Sequence, residues 1–150
     1  MQKIVPFLWF NTQAEEAARF YTSLFQDAEV LSVTPDPDGK VMSVSFQLEG
    51  QEFIALNGGP EFKFTEAVSF FVKCETQEEV DRLWGKLTDG GEEGQCGWLK
   101  DKYGLSWQII PNALGELIGG NDPEKSGRAV QAMLKMQKIV IKDLQEAYNG

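Results

Sequence analysis

An α+β fold built from two tandem βαβββ modules is what the sequence predicts, and three observations carry that expectation. A strand–helix–strand–strand–strand order can be read over the first 57 residues, and after a Gly-Gly-Pro break the same order begins again. The two helices also superpose, with "EEAARFY" at 15–21 and "EEVDRLW" at 78–84 held at a fixed offset of 63. Each places two glutamates in its first turn, where the helix dipole favours them, then an arginine, then an aromatic for the core.

Val5 to Phe10 is a short apolar run that reads as a buried strand, with Pro6 near its start where a missing N–H matters least. Asn11 or Thr12 offers a helix N-cap, and Ala17, Phe20, Tyr21, Leu24 and Phe25 come after it at helical spacing. Glu29 to Thr34 reads as a strand and "PDPDG" at 35–39 as a turn. From Val41 to Leu48 residues alternate, with Met42, Val44, Phe46 and Leu48 on the apolar face, and "LEGQEF" makes a tight hairpin into Phe53 to Leu56. "NGGPEFKFT" at 57–65 is a loop.

The second half opens with a strand over Val68 to Val72. "ETQEEVDRLWGKL" reads as a helix capped by Thr76, with Val80, Leu83, Trp84 and Leu87 buried and Gly90-Gly91 as its end. Trp98 to Lys100 and Leu105 to Ile110 are strands hinged by "DKYG", where Asp101 bonds its own backbone and Gly104 supplies a positive φ. In the tail, Asp122 caps a helix with Pro123 at its first position and an apolar stripe of Ala129, Val130, Met133, Leu134 and Met136. The β-branched run 139–141 interrupts it before a last short helix over Lys142 to Tyr148. These elements give one domain, with module one over about 3–58, module two over about 66–112 and a helical tail over about 113–150.

Composition excludes several function classes. The net charge is −9 with a pI near 4.5, so phosphate backbones and anionic lipid surfaces are poor partners. There is no histidine, which removes the commonest general base and a common metal ligand. Cys74 and Cys96 are too few for a disulfide framework and read as reduced, inert thiols. The N-terminus lacks the pattern of a signal peptide and no run is long enough to span a membrane, so a cytoplasmic protein is expected.

With "PFLWFNTQAEEAARFY", "GPEFKFTEAVSFFV" and "GGEEGQCGWLKDKYGLSWQIIP" in view, the chain resembles the PhnB-like (demethylubiquinone methyltransferase-like) proteins of the vicinal oxygen chelate superfamily. Glyoxalases, bleomycin-resistance proteins and extradiol dioxygenases are distant relatives in that superfamily. The resemblance implies the glyoxalase/bleomycin-resistance fold, with curled mixed sheets forming a cleft, in a homodimer. The superfamily's enzymes hold a divalent metal with four side chains, and by resemblance those positions fall on Pro6, Ala55, Ala67 or Val68, and Gln108. Pro and Ala bring no donor atom and one neutral amide does not hold a divalent cation, so no metal and no cofactor are expected. The methyltransferase label finds no Gly-rich turn joining a strand to a helix for a nucleotide-like methyl donor.

What remains is the cleft. Gln108 stands where the metal enzymes carry a ligand, so Gln108 is expected to face the cleft while Trp107, one residue away, packs against a helix. By the family position of Pro6, Leu8 faces the cleft and Trp9 belongs to the core, while the pattern leaves Trp98 open between the two. Glu61 and Lys63 lie on the loop at the module junction, near a cleft mouth. The expected function is a metal-free small-molecule-binding protein whose partners are a second copy of itself and an unknown small molecule. The alternative is an enzyme of the same superfamily with a reassigned site that uses Gln108, Cys96 or Glu61.

Overall fold

The computed structural model describes residues 2–150 and has two compact units, one ending at Phe64 and the other starting at Thr65. The first holds β1 (Phe7–Phe10), α1 (Ala14–Thr22), β2 (Ala28–Pro35), β3 (Val41–Leu48) and β4 (Gln51–Asn57). The second holds β5 (Ser69–Cys74), α2 (Gln77–Thr88), β6 (Glu92–Glu93), β7 (Trp98–Lys100) and β8 (Ser106–Pro111). Three tail helices complete it, α3 (Asn112–Ile118), α4 (Pro123–Met133) and α5 (Ile141–Asn149). The strand orders are β1-β4-β3-β2 and β5-β8-β7-β6. In each sheet the first strand runs parallel to the last and the other pairings are antiparallel. The duplicated α+β module of the sequence is therefore present in topology, and in register too: Phe10 pairs with Asn57 as Cys74 pairs with Pro111.

In the first unit α1 buries Ala14, Ala17, Ala18 and Tyr21. The Tyr21 ring lies 6.2 Å from that of Phe46, which stacks on Phe53 at 5.2 Å. Phe46 shares its face of β3 with Val44 and Leu48, the alternation expected for a half-buried strand. The β3–β4 hairpin closes through Glu49 and Gly50 at φ 51° and 89°, the paired positive values of a type I′ turn. The expected cap at Asn11 or Thr12 is not the one used. Helix α1 starts after Gln13, which makes no side-chain cap, and Asn57 Oδ1 accepts from the Ala14 N–H at 2.8 Å. Asn57 Nδ2 also donates to the Val41 carbonyl, so one side chain joins α1, β3 and β4.

In the second unit α2 buries Val80, Leu83, Trp84 and Leu87, and Thr76 Oγ1 caps it by accepting from the Glu79 N–H. The "DKYG" turn is organised by Asp101, only 3% exposed. Its Oδ1 accepts from the Tyr103 and Leu105 N–H groups, and its Oδ2 accepts from Trp107 Nε1 at 2.9 Å. A buried carboxylate is tolerated because its lone pairs are met by these donors. In the tail, Asp122 caps α4 as expected and Pro123 opens it. The stripe is less covered than expected, since Leu134 stays exposed. Ile110, Leu114, Ile139 and Leu144 form a second apolar cluster that ties the tail to the end of β8.

Asp101→Ala removes these three hydrogen bonds and leaves two buried donors, the Leu105 N–H and Trp107 Nε1, and the part-buried Tyr103 N–H without that acceptor. Urea denaturation is expected to show a loss of about 2–4 kcal/mol. A loss near zero would mean that water replaces the carboxylate.

Candidate functional site

Each sheet carries one helix on one face, so the other face is free of any helix of its own module. In the first sheet the α1 side is marked by Phe46, and pairing places Phe53, Ala55 and Leu8 on that side. Leu8 is 6% exposed and Ala55 is fully buried. The expected faces of β1 are thus inverted: Leu8 belongs to the core, and Trp9 lies half-buried on the helix-free side with Phe7, Ile54 and Leu56. The reason is strand phase, because a slip of one residue exchanges every side chain between faces.

Trp9 also pins the loop after β4. Its Nε1 donates to the Gly59 carbonyl at 2.9 Å, and its ring packs edge-on against Phe62 at 4.9 Å. Gly58 lies so close that a Cβ there would meet the Trp9 ring at 2.4 Å. Phe64 packs in the same way on Phe10. Glu61 and Lys63, which alternate with these rings, are exposed.

In the second sheet Phe70 meets Trp107 edge-on and Cys74 lies near Glu79 and Arg82 of α2, which fixes the helix side. Trp107 is buried there, as the alternation from Gln108 requires. The helix-free side is ordered in cross-strand rows. One row runs Ser69, Ser106, Lys100, and the next runs Phe71, Gln108, Trp98. Phe71 is 53% exposed, Trp98 is half-buried, and Gln108 Nε2 donates to Ser69 Oγ at 3.0 Å. Trp98, which the sequence left open, therefore lies on the helix-free face beside Gln108. Ser106 Oγ is fully buried and has no hydrogen-bond partner.

Lys100 Nζ forms an ion pair with Glu66, whose side chain is 60% exposed. The hydrogen bond from Lys100 is the main cause that holds the Glu66 carboxyl below its ordinary value, and the same bond raises Lys100. The end of this face is closed by the tail. Cys96 and Gly97, at φ 58° and 85°, donate their N–H groups to the Met136 and Gln137 carbonyls, both at 2.8 Å. Ile110 and Ile139 side chains crowd Gly97 so closely that a Cβ would meet Ile110 Cδ1 at 2.7 Å. Gln77 completes the clamp by donating to the Ile139 carbonyl and accepting from the Ile141 N–H.

The residues present do not fit a divalent cation. With the observed registers, Phe7 pairs with Ile54 as Phe71 pairs with Gln108, so these are the equivalent helix-free positions of the two modules. Only Gln108 offers a donor atom there, a single neutral carbonyl. Among the described residues no three of His, Cys, Asp and Glu gather in one place. Among them, too, no helix is long and apolar enough to cross a membrane.

The profile of the family described as 3-demethylubiquinone-9 3-methyltransferase matches residues 2–110. No curated protein matches the chain. Among solved structures, the chain is similar to a PhnB protein of Bacillus cereus that carries the same methyltransferase description. The identity is 40% and the TM-score 0.69, over 73% of this chain and 99% of that one. It is similar in fold to protein PA1353 of Pseudomonas aeruginosa, at 21% identity and TM-score 0.60, over 74% of this chain and 98% of that one.

The two thiols differ in burial. Cys74 is fully buried, and burial, with the negative charge of Glu79 beside it, pushes its thiol up to about 12. Cys96 is half-buried. An Ellman titration of native protein at pH 8 is expected to detect one thiol, lost in Cys96→Ser, with Cys74 reacting only after denaturation. Stability depends on pH in the same sense, because the unfolded Cys74 thiol ionises near 9 while the folded one keeps its proton. The stability contributed by Cys74 is therefore complete below pH 9 and declines between 9 and 12.

Proposed function

The chain belongs to the 3-demethylubiquinone-9 3-methyltransferase family, the PhnB-like branch of the vicinal oxygen chelate superfamily, and from that membership we propose a metal-free small-molecule-binding protein. Its ligand is a small, flat organic molecule held on the helix-free face of the second sheet. The observation that carries this reading is the row Phe71, Gln108, Trp98. Two aromatic side chains flank one amide, Phe71 is largely in water, and that combination suits a planar ligand better than it suits solvent.

Methyl transfer stays with the family's description. The strand-to-helix turns of this chain, 11–13 and 75–76, contain no glycine, so neither backbone forms the close approach that a nucleotide-like methyl donor needs. Sequestration asks for stacking and a few polar groups, and the row Phe71, Gln108, Trp98 supports that reading. A cytoplasmic homodimer is part of the same proposal, and analytical ultracentrifugation checks the assembly.

Native mass spectrometry of gently purified protein is expected to find an organic mass at one copy per chain. In Trp98→Ala/Gln108→Ala its occupancy at a fixed ligand concentration should fall at least about tenfold. A stoichiometric divalent metal, or an organic mass retained equally by the double variant, would overturn the reading.

A further inference from the structure

We propose that Ser106, Ser69 and Lys100 form a subsite for the carboxylate of a flat aromatic acid, and that Glu66 occupies Lys100 as a built-in competitor for that carboxylate. The subsite rests on the proposed binding of a flat ligand and names the ligand class of the same face. Its starting point is the Ser106 hydroxyl, the one fully buried side-chain polar atom left without a partner among the described residues. Leaving such a group unpaired is costly, and because it is fully buried an acceptor from outside reaches it only as the side chains that cover it move aside.

The neighbours of Ser106 are donors. Alternation puts its side chain on the helix-free face, between Ser69 on β5 and Lys100 on β7. Ser69 Oγ accepts from Gln108 Nε2, which leaves its own proton to give. Lys100 brings the positive charge. Two hydroxyls and an ammonium in one row are the donor set of a carboxylate site, and a carboxylate is what Lys100 already holds.

That carboxylate is Glu66, three residues before Ser69. The ion pair therefore reaches from β7 toward the β5 side, across β8 at the level of Ser106. Both ends are substantially exposed, so the pair is screened by solvent and salt and exchanges readily for an incoming anion. Glu92 is the other carboxylate facing Lys100, opposite it on β6. A step of two residues along a strand is about 6.6 Å. A carboxylate in the Ser106 row therefore places a fused second ring in the next row, between Phe71 and Trp98.

The test titrates the full chain with 2-naphthoate, with 2-naphthamide as the neutral isostere and with 2-naphthylmethylammonium, monitored by tryptophan fluorescence and calorimetry at low salt. Naphthoate is expected to bind at least about tenfold more tightly than the other two. Glu66→Gln should tighten naphthoate several-fold and leave the amide unchanged, while Lys100→Met and Ser106→Ala each weaken naphthoate. Thermal melting of each variant separates lost binding from lost folding. Equal affinity for acid and amide, or no gain in Glu66→Gln, overturns the subsite. If the amide still binds in a Trp98-dependent manner, the small-molecule reading survives that result. If none of the three probes binds, both the subsite and the flat-ligand reading fall.

Discussion

One helix for every four strands is the constraint on which the rest of this molecule depends. In each module the first strand pairs parallel with the last, and the helix after the first strand lies across only one side of the sheet. A parallel pairing needs a crossover, and a crossover with one helix covers one face. The covered faces are ordinary cores, with Ala17, Tyr21 and Phe46 in the first unit and Val80, Leu83 and Trp107 in the second. The uncovered faces must then be met by something other than the module's own helix. Phe7 and Phe71, at matching register positions, are both left substantially exposed by this arrangement.

Which features were legible in the sequence depended on how local their causes are. The buried stripe of α2, the Thr76 cap, the "DKYG" turn and the Asp122-Pro123 start each arise within a few residues, and each is found where the sequence placed it. The cap of α1 comes from Asn57, 43 residues on, and no local pattern announces it. The second module shows why the first needs it. There Thr76 caps the helix locally, and the strand position equivalent to Asn57 is Pro111, which has no side-chain acceptor.

The candidate site was legible in one sheet and not in the other for a related reason. On β8, Trp107 has an unambiguous place against α2, and Gln108 takes the opposite side by alternation. On β1 every residue from Phe7 to Phe10 is apolar, so the pattern holds no phase of its own. The phase was borrowed from a ligand position placed at Pro6, one residue out, and the error carried Leu8 and Trp9 to the wrong faces. The repeat itself contains the correction. Between strand and helix the first module has three residues and the second has two, so the offset that fits the helices misaligns the strands by one.

The tail adds a second level of control to the uncovered face of the second sheet. The family match ends at residue 110, yet Ile110 is buried by the tail helices and their connection, through Leu114, Ile139 and Leu144. The attachment is specific as well as apolar: Gly97 can be approached only because it lacks a Cβ, and Gln77 serves both the Ile139 carbonyl and the Ile141 N–H. Asp81 strengthens the same seam, its carboxyl lowered first by the Gln77 amide and then by Lys138. One end of the face is thus walled by the chain itself, while Lys100 and its carboxylates lie at the other end. At that end a cation with a carboxylate on either side, Glu66 and Glu92, lies beside an unpaired buried hydroxyl. The aromatic row lies between the wall and the cation, so the charged groups and the apolar contact surface run along one direction of the sheet. A ligand bound there would be oriented, with its charged end toward Lys100 and its flat body toward Trp98.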